Sequence, residues 1–217
     1  ISDGPMARLK IGLLGGSFNP AHAGHRHISL LALKQLQLDQ VWWLVSPQNP
    51  LKPHSNMSPF EERLAGAWTI ARHPHIRVSD IERRLGTRYT LDTLAVLRRR
   101  WPDYRFVWLM GADNLVQLPR WRRWREIVQA VPIAIFNREG AGHRALAGAA
   151  ATVFARSREQ RPVNLPLTQA PAWCFLFSRQ HSASSTAIRE SRETSRKGHD
   201  FWGKFCHNQT TFRGQKC

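Results

Sequence analysis

The sequence has little cysteine, few acidic residues and no long apolar run. Its three cysteines, Cys174, Cys206 and Cys217, are widely spaced, odd in number and without a CxxC pair. That excludes a disulfide framework and a zinc-ribbon pattern, and it fits a reducing compartment. No apolar run reaches the ~18 residues a membrane-spanning helix needs. The start of the chain carries no secretory signal: Leu9–Leu14 is a short apolar run ending in Gly-Gly, which reads as a strand, and Ile1–Pro5 is assigned no function. A cytoplasmic protein without membrane partners is expected. No internal repeat or low-complexity tract is present. What is there, 42% hydrophobic residues and nine Trp in 217 residues, excludes a wholly disordered chain. The length suggests one domain with a large core.

Acidic residues number 15 against 32 Lys+Arg, a net charge of +17. Residues 83–125 hold eleven Arg and three Asp, and residues 179–217 eight Lys/Arg and three acids. Such a field attracts polyanions, nucleoside triphosphates and nucleic acid alike. The plainer account is solvated surface, with Arg98, Arg99 and Arg100 suiting the negative end of a helix.

Strand and helix patterns alternate. Leu9–Leu14, Val41–Val45, Ile76–Val78, Arg105–Met110, Pro132–Phe136 and Trp173–Phe177 read as strands. Helices are predicted from the glycine turn through Leu33, from Ser58 to about Arg72, over Thr90–Trp101 and Trp121–Gln129, with a short one in Ala141–Ala155. Ser58-Pro59-Phe60-Glu61 reads as a capping box with Ser58 as N-cap. Continuous apolar strands between helices imply an α/β fold with a doubly wound, Rossmann-like parallel sheet. Residues 1–8 read as an N-terminal extension, 9–196 as the domain, and 197–217 as a weakly ordered basic tail.

The chemistry concentrates directly after the first strand, in Gly15-Gly16-Ser17-Phe18-Asn19-Pro20-Ala21-His22-Ala23-Gly24-His25. Ligands of doubly wound sheets sit beyond the carboxyl ends of the strands. Glycines there let backbone N–H groups approach a phosphate, and a helix N-terminus adds a favourable dipole. His22 and His25, three apart, are expected to share a helix face and donate hydrogen bonds to charge on a transferring phosphorus. A bare HxxH pair also serves as a helix cap, a core pair or a zinc pair; further zinc ligands at clear spacing are lacking. Ser184-Ser185-Thr186 before a helix is both N-cap chemistry and an anion site.

The first segment is similar to the G-G-[ST]-F-[DN]-P-x-H-x-G-H signature of the nucleotidylyltransferase superfamily. Pro47–Lys52, Tyr89–Leu94, Gly111–Leu115 with Leu118–Trp121, and Ser184–Arg189 follow in order. Together they resemble the bacterial nicotinate-nucleotide adenylyltransferases, over about Lys10 to Arg189. The resemblance implies transfer of AMP from ATP to nicotinate mononucleotide, giving nicotinate adenine dinucleotide and pyrophosphate in NAD biosynthesis. It implies that His22 and His25 are catalytic. It places Gly15, Gly16, Ser17, Phe18, Lys52, Gly111, Asp113, Ser184, Ser185, Thr186 and Arg189 around ATP, with Asp113 at the ribose and Arg189 as a charge clamp. Thr90, Trp121 and Arg122 would hold the pyridine nucleotide, Trp121 by stacking and Arg122, where many relatives carry Tyr, through its backbone. Mg²⁺ would travel with the triphosphate, without a dedicated protein cage. Two other readings stand beside this one. The first is a sibling enzyme with another phosphate acceptor, such as phosphopantetheine. The second is a basic nucleic-acid-binding protein using Trp121–Trp124 (WRRW), although two Trp three residues apart more simply face a core or pocket. Self-association is left open.

Overall fold

The structure, a computed structural model, describes residues 8–47, 57–137, 142–177, 185–186 and 188–189. Six strands, β1 (Lys10–Gly16), β2 (Gln40–Val45), β3 (Ile76–Ser79), β4 (Arg105–Gly111), β5 (Ile133–Phe136) and β6 (Trp173–Leu176), form one sheet in the order β3-β2-β1-β4-β5-β6. Every pairing is parallel. The chain steps outward from β1 to β3, then returns to the other side of β1 with β4. The expected doubly wound sheet is therefore present, and its switch point lies between β1 and β4.

Alternate residues of each strand feed two separate cores, which is why the strands read as unbroken apolar runs. Ile11 and Leu13 of β1, with Phe106, Trp108 and Met110 of β4, face one core. Leu14 of β1, with Val107 and Leu109 of β4, faces the other. Helices α1 (Ala23–Gln35) and α2 (Phe60–Ala71) cover the second face through Ala32 and the C-cap residue Leu36 of the first and Ala67 and Ala71 of the second. Helices α3 (Ile81–Leu85), α4 (Thr90–Arg100), α5 (Ala112–Gln117), α6 (Trp124–Ala130), α7 (Gly142–Leu146) and α8 (Ala149–Val153) contribute to the first. Arg98, Arg99 and Arg100 do occupy the last turn of α4, where cations suit the helix dipole.

Two helix starts differ from expectation. Helix α2 begins at Phe60 with Pro59 as N-cap and no side-chain cap bond, so the Ser58 capping box does not form. The Ser58 N–H donates to Asn19 Oδ1 at 3.2 Å and its carbonyl accepts from Arg63 Nε at 3.0 Å, which holds Ser58 outside the helix. Helix α6 begins at Trp124 rather than Trp121, because Arg123 sits in the left-handed region at φ 54° and breaks the register. The expected helix within Ala141–Ala155 is split into α7 and α8, and α3 was not anticipated.

Candidate active site

The glycine turn closes β1. Gly15 owes its identity to packing: a Cβ there would meet the Trp108 ring at 2.6 Å. A Cβ at Gly16 would make only ordinary contact with the Phe18 ring, at 3.6 Å. Phe18 follows with φ 46° and is buried between two aromatic neighbours, stacked on Trp43 at 5.0 Å and tilted against His25 at 4.8 Å. Trp43 Nε1 donates to Ser29 Oγ at 2.7 Å, and that hydroxyl donates to the His25 carbonyl at 2.9 Å. The β2 indole thus steadies the first turn of α1.

His22 is the N-cap of α1, in extended backbone, and not a residue of the helix face. The pairing of the two imidazoles is reciprocal. The Gly24 N–H donates to His22 Nδ1 at 3.1 Å, and the His22 N–H donates to His25 Nδ1 at 3.2 Å. The ring centroids lie 3.9 Å apart. A nitrogen that accepts carries no proton, so each neutral ring is held as the Nε2–H tautomer. The helix-capping account of the HxxH pair is therefore correct as far as Nδ1 goes, and it orients Nε2–H as a donor in both rings. The first N–H groups of α1 are largely taken: Gly24 binds His22 Nδ1, and the His25 N–H donates to the His22 carbonyl.

The far end of the chain returns to this loop. Ser185, Thr186, Ile188 and Arg189 are helical. Ser185 Oγ donates to the Pro20 carbonyl at 3.0 Å, and Arg189 Nη1 donates to the Asn19 carbonyl at 2.6 Å. Arg189 Nη2 also donates to Thr186 Oγ1 at 3.2 Å. Two motifs some 170 residues apart in sequence thus meet beside the His22–His25 pair.

Gly111 ends β4 and caps α5, and Asp113 stands in the first turn of α5. Thr90 opens α4. The Arg122 guanidinium lies over the Tyr89 ring at 4.6 Å, which ties the 121–122 segment to the start of α4 and brings Thr90, Trp121 and Arg122 into one neighbourhood. Trp121 is half-buried and packs against the core on the α4 and α6 side of the sheet, which accounts for part of its surface. Lys52 and Ser184 lie outside the described residues. Among the described residues there is no group of three or more His, Cys, Asp or Glu placed to hold a metal ion. A cavity of about 870 Å³, lined by Arg8, Arg98, Arg99 and Arg105, opens at the amino ends of the strands, away from the glycine turn.

The chain matches the cytidylyltransferase-like family over residues 13–191. A protein of Parvibaculum lavamentivorans is 58% identical over 184 residues, which is 84% of this chain and 92% of that protein. One of Cereibacter sphaeroides is 56% identical over 181 residues, 83% of this chain and 97% of that protein. Both carry the name "Probable nicotinate-nucleotide adenylyltransferase". The chain belongs to the nicotinate-nucleotide adenylyltransferase family. Its fold is also that of the Plasmodium falciparum nicotinic acid mononucleotide adenylyltransferase solved with NaAD. The two superpose at a TM-score of 0.64 and 17% identity, over 84% of this chain and 83% of that one.

Three polar residues around the site of this family member were given no role from sequence, Arg63 and Glu82 outside every motif and Asn19 inside the first one. Arg63 is 3% exposed and donates to four main-chain carbonyls. Glu82 is buried in α3 beside Thr93, and burial pushes its carboxyl up to about 7 against hydrogen bonds from Thr93 and Ser46 that pull it down. Asn19 is buried and holds Ser58. The legible signal for Arg63 was its register: with Ala67 and Ala71 it repeats every four residues along the buried stripe of α2.

Proposed function

We infer that the chain transfers AMP from ATP to nicotinate mononucleotide. A 5′-phosphate oxygen of the mononucleotide attacks the α-phosphorus in line, the bond from that phosphorus to the bridging oxygen of the β-phosphate breaks, and pyrophosphate leaves. The attacking phosphate is already an anion, so no general base is required and catalysis reduces to positioning and charge stabilisation. The observation that carries the reading is the meeting of Ser185 and Arg189 with the Asn19-Pro20 carbonyls beside the paired imidazoles, all at the carboxyl end of β1.

In this reading Nε2–H of His22 and His25 donates to the phosphate oxygens as charge builds in the transition state. The Gly15–Phe18 backbone, Lys52, and the start of the Ser184–Arg189 helix hold the triphosphate, and Gly111 and Asp113 hold the ribose. Thr90, Trp121 and the Arg122 backbone take the pyridine ring and its carboxylate. The donors in place (imidazoles, hydroxyls and a guanidinium) suit phosphate oxygens better than a bare cation. Mg²⁺ then arrives on the triphosphate and supplies charge neutralisation there. The protein works in the cytoplasm, on small nucleotides rather than nucleic acid, and as a single domain over 9–196 whose tail 197–217 is dispensable.

The test is pyrophosphate release from ATP and Mg²⁺ with nicotinate mononucleotide, nicotinamide mononucleotide and phosphopantetheine offered separately. Release with nicotinate mononucleotide is expected. Release with phosphopantetheine alone would keep the phosphate site and overturn the roles of Thr90 and Trp121. Truncation after Arg196 is expected to leave that release unchanged.

A further inference from the structure

Arg63 is a buried cation whose four described hydrogen bonds all run to main-chain carbonyls, none to a carboxylate. Nε donates to Ser58 O at 3.0 Å, Nη1 to Ser17 O at 2.6 Å and Ser46 O at 2.8 Å, and Nη2 to Pro47 O at 2.9 Å. Burying a guanidinium is costly, and an apolar side chain at this core position of α2 would avoid that cost. The planar fork of an arginine can, however, bind several carbonyls from different segments at once. Here it collects the glycine turn (Ser17), the end of β2 (Ser46 and Pro47) and the entry to α2 (Ser58). The same β2 end is tied to the turn a second time, by the Ser46 N–H donating to the Gly16 carbonyl at 2.9 Å.

The bond to Ser17 has a directional consequence. The Ser17 carbonyl and the Phe18 N–H belong to one peptide unit, which is trans; the cis bonds among the described residues are Asn19-Pro20 and Ala170-Pro171. In a trans peptide these two groups point in opposite directions. Drawing the Ser17 oxygen onto Arg63 therefore turns the Phe18 N–H away from α2. The next residues, His22 and His25, form the imidazole pair, and Phe18 itself is wedged against His25.

We propose that Arg63 is a positioning residue for adenylyl transfer: by holding the Ser17 carbonyl it aims the Phe18 peptide N–H at the nucleotide phosphates, and by holding Ser46 and Pro47 it sets the distance between the glycine turn and the β2–α2 connection. This rests on the adenylyl-transfer reading above. Arg63 touches no substrate; it acts through the backbone it holds.

The test compares the parent chain with Arg63→Met, which keeps an unbranched apolar stem, and Arg63→Lys, which keeps the charge but not the fork. Turnover is measured per folded molecule, with folding read by near-ultraviolet circular dichroism. No turnover by the parent with ATP, Mg²⁺ and nicotinate mononucleotide would remove the adenylyl-transfer reading itself. With an active parent, both variants are expected to lose kcat by about tenfold or more while KM for nicotinate mononucleotide stays within about threefold, because misplacing a phosphate donor acts on the transition state. Partial recovery of Arg63→Ala by free guanidinium ion is the second expected result. Folded variants with kcat within about twofold of the parent, or activity lost only in proportion to folded protein, would overturn the proposal. Should none of the variants fold, the parent decides. The Phe18 amide resonance is expected to shift on saturation with ATP and Mg²⁺, and an unmoved resonance would overturn the proposal.

Discussion

Arg189 Nη1 donates to the Asn19 carbonyl across 2.6 Å, joining the last helical residues described to the loop that leaves β1. With Ser185 Oγ on the Pro20 carbonyl, it makes one site of two distant motifs. The Arg189 guanidinium also reaches Thr186 Oγ1, so it stands inside the helix start proposed to bind the triphosphate.

Arg189→Ala is therefore expected to raise KM for ATP by about tenfold or more, since a hydrogen bond to a charged group contributes roughly 1.5–3 kcal/mol. KM for nicotinate mononucleotide is expected to change little. Steady-state kinetics with each substrate varied in turn checks this. A lower melting temperature with unchanged KM for ATP would make Arg189 a strut between the loop and the helix and nothing more.

The reciprocal imidazole pair separates capping from catalysis. In His22→Asn the side-chain oxygen can still accept the Gly24 N–H, so the cap on α1 is kept while the Nε2–H donor is lost. Turnover is expected to fall about 10²-fold with a melting temperature close to the parent's. His22→Ala loses both functions and is expected to add about 1 kcal/mol of destabilisation. Equal turnover in His22→Asn and the parent would take His22 out of the mechanism.

The six strands could be read in sequence to within two residues at each end, because a sheet covered on both faces forces unbroken apolar runs such as Val41–Val45 and Arg105–Met110. Helix starts were less legible. The Ser58 cap gives way to two hydrogen bonds of its main chain, one given to Asn19, far off in sequence, and one taken from Arg63 in the next turn, and the shift of α6 to Trp124 depends on one left-handed residue, Arg123. Candidate residues carried by contiguous motifs stood out, and the structure pairs two of them, His22 and His25. Arg63 and Glu82 did not, because patterning assigns arginine and glutamate to solvent. Their burial depends on carbonyls and hydroxyls supplied by other segments.

Trp121 packs against the core and leaves part of its surface open, and its neighbour Arg122 lies over Tyr89, the residue before Thr90. Trp121→Ala is expected to raise KM for nicotinate mononucleotide by about tenfold while KM for ATP stays near the parent value, because an aromatic stack contributes roughly 0.5–1.5 kcal/mol beyond the area it buries. Trp121→Phe is expected to retain most of the affinity. Equal increases for both substrates would assign Trp121 to packing alone.

Glu82 sets a pH dependence of stability whose sign follows from burial. Its carboxyl titrates at about 7 in the folded chain against an ordinary value of 4.5, because desolvation outweighs the hydrogen bonds from Thr93 and Ser46. Between those values the unfolded chain releases a proton that the folded chain keeps. Glu82's contribution is thus fully present below pH 4.5 and is lost as pH rises through about 7, by a few kcal/mol at most. Glu82→Gln is neutral throughout and nearly isosteric. The melting temperature of the variant relative to the parent is therefore expected to climb across this window, by about 2–4 °C for each kcal/mol in a chain of this size. Taking the difference between the two proteins cancels the titration of every other group to first order. A difference that stays flat with pH would mean that Glu82 ionises as readily folded as unfolded, and that the pocket formed by α3, Thr93 and Ser46 is open to water.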